Sequence, residues 1–192
     1  MMWGAILEYE IGLGFAAGFA SFLAVAAILG LTHQVEQKTP DRTMPFGLFL
    51  GLIVLIVFMA FVEEGIFRWL LVGVASRWVG FLPALTGSSI LFTIAHRPNG
   101  ALSFRAILNL MLVGVILGVV FWWWGFWVAV AAHAGWNLAE WGLGYTVSGE
   151  KTRNVLPSPA IRIITGEPFG PEAHWAATVV LFVVALALHF RV

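Results

Sequence analysis

Two adjacent glutamates and an arginine close a long uncharged stretch of the sequence. Glu63, Glu64 and Arg68 follow the segment FGLFLGLIVLIVFMA (46–60), which contains no ionisable residue. If this region is helical, Glu64 and Arg68 can form an ion pair on one face, because residues four apart are neighbours on a helix. Glu63 lies about 100° further round, since a turn takes ~3.6 residues. One carboxylate can therefore be held by the arginine while the other faces a cavity.

Three more polar side chains interrupt other apolar segments. His96 ends SSILFTIAH (88–96), and His133 and Asn137 lie within VAVAAHAGWNLAEW (128–141). The spacing of His133 and Asn137 directs an imidazole and an amide into the same space. Ionisable groups in apolar membrane helices are costly, so they are candidates for function. Together with the glutamates, these residues could supply a base, a proton shuttle and hydrogen-bond donors.

Two further ionisable residues are expected to be peripheral. Glu140 precedes a tryptophan, which suggests a place at the lipid–water interface. His174 lies in the region between the last two apolar segments, and we expect it to be incidental.

Elimination narrows the chemistry that these residues could perform. The chain has no cysteine, its single aspartate is Asp41, and it contains no HExxH motif. Thiol, two-aspartate and common zinc-protease mechanisms are therefore excluded. A serine nucleophile at Ser88 or Ser89 would need His96 as its base. The better alternative is a glutamate that polarises water for attack on a carbonyl, with His133 and Asn137 as oxyanion donors. A metal held by a glutamate and two histidines stays open.

The composition is that of a membrane protein. Of 192 residues, 60% are apolar and only 10% are charged, and the mean hydropathy is +0.93. The formal net charge is zero, so no nucleic-acid partner is indicated. We predict an all-α, polytopic membrane bundle of about six transmembrane helices in one domain (1–192), with the lipid bilayer as its surroundings. The predicted segments are 11–31, 46–63, 82–96, 104–122, 126–144 and 175–190, with an extra amphipathic or re-entrant piece at 64–81.

A shared site places a geometric demand on this layout. In a simple arrangement of spans, Glu63 would lie near one side of the bilayer and His96 near the other. We therefore predict that the second helix continues past Glu63 towards Arg77, or that 64–81 folds back into the membrane. The polar atoms of Glu63, His96, His133 and Asn137 should then converge to within roughly 3–6 Å, given hydrogen-bond lengths near 3 Å.

Three short motifs resemble one family. EEGIFR (63–68), FTIAH (92–96) and HAGWN (133–137) match, in order, the EExxxR, FxxxH and HxxxN motifs of the CAAX-type intramembrane endopeptidases, also called CPBP proteins. The family's hydrophobic pattern covers about 46–144. TGEPFGPE (165–172) is similar to a tail of bacterial members.

The resemblance implies a glutamic-type peptidase without a metal or other cofactor. It implies that Glu63 activates water, that His96 helps to hold this water, and that His133 and Asn137 stabilise the oxyanion. Glu64 would orient the site with Arg68 as its partner. Trp69 replaces a glycine that is common in the family, which predicts a narrower wall beside the site.

The function expected from these residues is cleavage of a membrane-anchored protein or peptide near the membrane surface. The expected location is a prokaryotic inner membrane, as a multi-pass protein. The competing hypothesis is a non-catalytic family member with a bacteriocin-immunity or scaffold role. A metal-dependent version of the same hydrolase is a second alternative. A transporter is disfavoured, because the sequence shows neither an inverted repeat nor paired broken helices.

Overall fold

A computed structural model describes residues 2–37, 44–149, 161–163 and 169–190. Within these residues the chain forms a bundle of α-helices: α1 (Met2–Leu31), α2 (Phe46–Glu64), α3 (Ser76–Val79), α4 (Phe81–Ala95), α5 (Phe104–Trp124), α6 (Phe126–Gly142) and α7 (Trp175–His189). Two short strands, β1 (Val35–Gln37) and β2 (Ile161–Ile163), pair antiparallel. A π-helix (Gly65–Val74) and 3₁₀ turns (Arg97–Asn99 and Gly170–Ala173) complete the structure.

The predicted helical membrane bundle is confirmed. Three helical stretches are long and apolar enough to cross a bilayer, namely Glu8–Leu31, Phe46–Val79 and Phe104–Trp124. The other three predicted segments coincide with α4, α6 and α7. These helices have 15, 17 and 15 residues, so they are shorter than the ~20 residues that a perpendicular span needs.

The second helix continues past Glu63 instead of folding back. The π-helix follows α2 without a break and leads into α3, so the apolar stretch Phe46–Val79 is 34 residues long. Glu63 therefore stands near its middle and not at its end. The hydroxyl of Ser88 donates to the carbonyl of Phe67 at 2.5 Å, which fixes the π-helix against α4. Of the two layouts predicted from the sequence, this is the first.

Glycines let α1 approach the backbone of α6. A Cβ added at Gly14 would lie 2.9 Å from the carbonyl oxygen of Val128, and one at Gly18 would overlap the carbonyl of Ala132. From the other side, a Cβ at Gly135 would overlap the carbonyl of Phe15. Such close contact is typical of membrane helices, where small residues allow dispersion forces to hold the helices together. This interface fixes the face of α6 that carries His133.

Two of the apolar clusters pack against α5. The larger packs Phe22 of α1 edge-to-face against Trp136 and Tyr145, and continues to α7. The smaller joins the π-helix, α4 and α5, and its buried members are Phe67, Phe92, Ala106, Leu110, Phe169 and Ala173. The polar residues singled out in the sequence lie beside this smaller cluster.

The α1–α6 contact makes a specific prediction for glycine substitutions. Gly18→Ala should lower the melting temperature, because its new methyl group meets backbone atoms that cannot move aside, and overpacking costs about 1–3 kcal/mol. Gly12→Ala is the matched control on the same helix, since a Cβ there meets nothing within 4 Å. It should be neutral or slightly stabilising. Thermal unfolding of both variants in detergent measures the difference, and equal melting temperatures would contradict the close packing.

Candidate active site

Glu64 is the centre of the polar cluster. Its carboxylate is completely buried, and Oε1 lies 3.1 Å from Nη1 of Arg68 and 2.8 Å from Nδ1 of His133. Arg68 is also buried, with its guanidinium 4.5 Å from the centroid of the Phe92 ring. The ion pair predicted from the four-residue spacing is therefore present. Through its contacts with Arg68 and His133, Glu64 connects α2 to the π-helix and to α6.

The Nδ1 atoms of both imidazoles are engaged, which directs Nε2 towards one point. Nδ1 of His96 lies 2.8 Å from the carbonyl oxygen of Phe92, and Nδ1 of His133 lies 2.8 Å from Glu64. Because a carbonyl or a carboxylate only accepts, both Nδ1 atoms donate in these contacts. Each ring is thereby held with Nε2 towards the remaining glutamate.

Glu63 is that remaining glutamate. Its Oε2 lies 3.8 Å from Nε2 of His96 and 3.9 Å from Nε2 of His133. The convergence predicted for these three side chains is confirmed. The distances exceed a direct hydrogen bond, and a water placed between the three atoms could bridge them. The Glu63 side chain is 23% exposed, against 0% for Glu64, so the two carboxylates have the different surroundings that helix geometry predicts.

Asn137 lies one turn after His133 on α6 and is buried. Its Oδ1 has no hydrogen-bond partner within the described residues. An oxyanion would need the N–H groups of this amide and not its oxygen, so the predicted role of Asn137 as an oxyanion donor stays a prediction.

The serine alternative loses support. The hydroxyl of Ser88 donates to Phe67, and that of Ser89 donates to the carbonyl of Leu85 at 2.8 Å. A nucleophilic serine needs a base within hydrogen-bond reach. Both hydroxyl groups bind backbone carbonyls instead, and His96 is turned towards Glu63.

A metal held by a glutamate and two histidines is the alternative that the sequence left open. Among the described residues, no group of three histidine, cysteine, aspartate or glutamate side chains is arranged to hold a metal ion. That the site works without a cofactor stays a prediction.

The structure corrects the expected surroundings of two residues and gives a third a structural role. Trp69 is 57% exposed, so it does not narrow the site. Glu140, expected at the interface, is fully buried in the protein, because the last turns of α6 are covered by neighbouring chain. His174, expected to be incidental, is buried and caps α7 by accepting from the N–H of Ala176 at 3.2 Å.

Sequence reasoning missed two buried residues near the site. Asn109 of α5 donates through Nδ2 to the carbonyl of Glu172 at 2.7 Å, and both residues are buried. A lone amide in an apolar helix was the available signal for Asn109. Glu172 gave none, because its burial depends on how the segment before α7 folds back. Part of the tail motif, 165–168, lies outside the described residues.

The ion pair makes a prediction for stability. Arg68→Ala should lower the melting temperature far more than Glu63→Gln does. The substitution removes the arginine partner of the buried Glu64 carboxylate and leaves it with His133 as its one remaining contact within the described residues. Breaking a buried pair costs ~3–5 kcal/mol. Arg77→Ala is the matched control, since Arg77 is exposed on α3. Thermal unfolding in detergent compares the three variants, and similar melting temperatures for Arg68→Ala and Arg77→Ala would contradict a buried role for Arg68.

A protein-family model matches the part of the chain that carries these residues. The family model described as "Type II CAAX prenyl endopeptidase Rce1-like" matches residues 45–139, about half of the chain. The match includes all three motifs and every residue of the polar cluster. Neither a curated protein nor a solved structure matches the chain. Through residues 45–139, the chain belongs to the CAAX-type intramembrane endopeptidase family.

Proposed function

We propose that this integral membrane protein is an endopeptidase in which Glu63 activates a water molecule for attack on a peptide bond. The observation that carries the proposal is the convergence of Nε2 of His96 and Nε2 of His133 on Oε2 of Glu63, at 3.8 and 3.9 Å. A carboxylate oxygen between two oriented imidazoles can receive a proton from a bound water. The same imidazoles can hold this water in place.

The reaction follows general acid–base chemistry. Glu63 takes a proton from the water as its oxygen forms a bond to the carbonyl carbon. Nε2 of His96 accepts a hydrogen bond from the water and orients it. The tetrahedral oxyanion requires donors, which Asn137 supplies through its amide and His133 through Nε2 when the ring is an imidazolium. Glu63 then returns the proton to the leaving amine, so the C–N bond breaks without further groups.

Glu64 and Arg68 act by positioning. The contact of Glu64 with Nδ1 of His133 fixes the orientation of the ring. The carboxylate can also stabilise the positive charge of an imidazolium that forms during the reaction. Arg68 compensates the buried charge of Glu64 throughout. These residues need not touch the substrate.

The substrate class follows from where the site lies. Glu63 stands near the middle of a 34-residue apolar stretch, so a soluble protein would not bring its peptide bond to the site. We infer that the substrate is a membrane-anchored protein or peptide. A prokaryotic inner membrane, and a single domain over 1–192, are further parts of this proposal.

The proposal predicts that Glu63→Gln abolishes cleavage while leaving the protein folded. The amide keeps the size of the side chain but cannot take a proton from water. Mass spectrometry of protein termini measures the loss, by comparing host membranes that contain the wild type with host membranes that contain the variant. Glu8→Gln, at an exposed position of α1, is the control and should retain cleavage. Normal processing by Glu63→Gln would exclude Glu63 as the base and favour the non-catalytic alternative.

The proposal also predicts metal-independent activity. Cleavage in detergent-solubilised membranes should persist after incubation with a chelator such as 1,10-phenanthroline, because the reaction uses only side chains and water. An inactive chelator analogue, 1,7-phenanthroline, controls for effects of the compound itself. Inactivation that added zinc reverses would instead support the metal-dependent hydrolase.

A further inference from the structure

A buried segment outside the family match at 45–139 borders the site. Residues 169–174, with the sequence FGPEAH, are all buried, although they contain a 3₁₀ turn and not a membrane helix. Phe169 begins this segment and belongs to the apolar cluster beside the site, together with Phe67 and Phe92. We call these residues the 169–174 segment.

His96 stands at the end of its helix. It is the C-cap residue of α4, and the chain enters the 3₁₀ turn Arg97–Asn99 directly after it. Helix ends fray more readily than helix centres. The imidazole is bonded within its own helix, because Nδ1 donates to the carbonyl oxygen of Phe92 at 2.8 Å. A ring that must keep Nε2 directed at Glu63 therefore needs a further contact from outside α4.

Phe169 supplies such a contact. Its side chain is fully buried, and its ring centroid lies 6.4 Å from that of His96, with the two ring planes inclined by 56°. Tilted aromatic rings attract each other at centroid distances of ~4.5–7 Å. The ring of Phe92 contacts the same imidazole at 4.4 Å. His96 is thus packed against two phenyl rings, one from its own helix and one from the 169–174 segment.

Asn109 of α5 fastens one side of this segment. Its Nδ2 donates to the carbonyl oxygens of Glu172 at 2.7 Å and His174 at 3.2 Å. Its Oδ1 accepts from the hydroxyl of Thr178 in α7 at 2.8 Å. A single buried amide therefore bonds the segment and the first turn of α7 together.

The other side of the segment packs against α6 and the chain that leaves it. Gly170 has a φ of +77°, and a Cβ there would lie 2.8 Å from the carbonyl oxygen of Thr146. The hydroxyl of Ser148 lies 3.5 Å from Oε1 of Glu172. The indole of Trp136 in α6 interacts with the same carboxyl group. The segment is therefore held between α5 and α6, which fixes the place of the ring at its start.

We propose that Phe169 is a positioning residue for His96, with Asn109 as the anchor of the segment that carries it. Held in this way, Phe169 keeps the imidazole from turning, so Nε2 stays directed at the water beside Glu63. The catalytic part of this inference rests on the proposed peptidase function. The contact itself does not, because it concerns only the folded protein.

The first experiment observes the His96 ring directly by nuclear magnetic resonance in detergent. The chain has five histidines, so protein labelled with ¹⁵N only at histidine gives few ring signals, and their loss in His96→Gln identifies His96. At pH 8 a histidine in ordinary surroundings is neutral. Wild-type His96 should then show one protonated and one unprotonated ring nitrogen, because Nδ1 donates to the carbonyl of Phe92.

Phe169→Leu removes the phenyl ring and keeps its place apolar. We expect the two ¹⁵N shifts of His96 to move towards each other, because a ring released from Phe169 exchanges between its two tautomers. Phe22→Leu is the matched control, since it is the same substitution at an equally buried residue of the other cluster, and it should leave the His96 signals unchanged. Phe169→Met takes the place of the leucine variant if that variant does not fold. Unchanged His96 signals in the folded Phe169 variant would overturn the proposal.

Asn109→Leu tests the anchor. It removes both bonds to the segment, so it should shift the His96 signals in the same direction as Phe169→Leu. Thr178→Val is the matched control, because it removes the neighbouring hydroxyl and leaves the two Nδ2 bonds in place. Unchanged His96 signals in both variants would overturn the role of Asn109 as an anchor. Failure of Asn109→Leu to fold would also overturn it, since the amide would then stabilise the whole bundle.

The second experiment tests the catalytic consequence. Initial rates of appearance of Glu63-dependent protein termini are measured in host-membrane vesicles and divided by the amount of folded protein. Phe169→Leu should lower this rate by roughly ten-fold or more, since a misplacement of ~1 Å can cost on the order of 100-fold. Phe22→Leu should lower it by less than about two-fold, because it leaves the surroundings of His96 unchanged.

The two experiments separate this inference from the proposed function. A normal rate in Phe169→Leu, together with shifted His96 signals, would overturn the catalytic part and leave the contact. If no protein termini depend on Glu63, the peptidase function itself fails. The ring signals would then still decide whether Phe169 holds His96.

Discussion

The arrangement of the site depends on one buried carboxylate. Glu64 is fully enclosed, and a carboxylate in such surroundings is tolerated only if charge and hydrogen bonds compensate it. Arg68 and His133 provide this compensation from the π-helix and from α6. Phe92 of α4 covers the guanidinium. Three helical elements are therefore brought to one point by the need to satisfy a single side chain, and the position of Glu63 follows from that of its neighbour.

The backbone creates the conditions for this pairing in two ways. The uninterrupted helix from Phe46 to Val79 places the glutamates near the middle of the apolar stretch, at a level that α4 (Phe81–Ala95) reaches at its C-cap residue, His96. On the opposite side, Gly18 and Gly135 let α1 and α6 approach until side chains would collide with backbone. The rotation of α6 is then fixed, so His133 faces Glu64 instead of lipid.

Much of this could be predicted from the sequence, for identifiable reasons. Charges are so rare here that each polar residue in an apolar segment was informative, and helical spacing sorted Glu63 from Glu64 correctly. The residues that escaped prediction are those whose environment depends on tertiary contacts. Glu140 looked interfacial beside Trp141, and Glu172 looked like part of an ordinary loop. Glu140 is fully buried, and residues 169–174, which include Glu172, fold against α5 through hydrogen bonds from Asn109. No local pattern encodes these tertiary contacts.

The two neighbouring glutamates cannot exchange roles in the proposed chemistry. A general base needs an oxygen that is free to accept a proton from water, and Oε1 of Glu64 already contacts both Arg68 and His133. Protonating Glu64 would also weaken the ion pair on which the site depends. Oε2 of Glu63 has no hydrogen-bond partner within the described residues, and its side chain is partly exposed. About 100° of helix rotation separates the two side chains, and this rotation divides the work between a structural carboxylate and a reactive one.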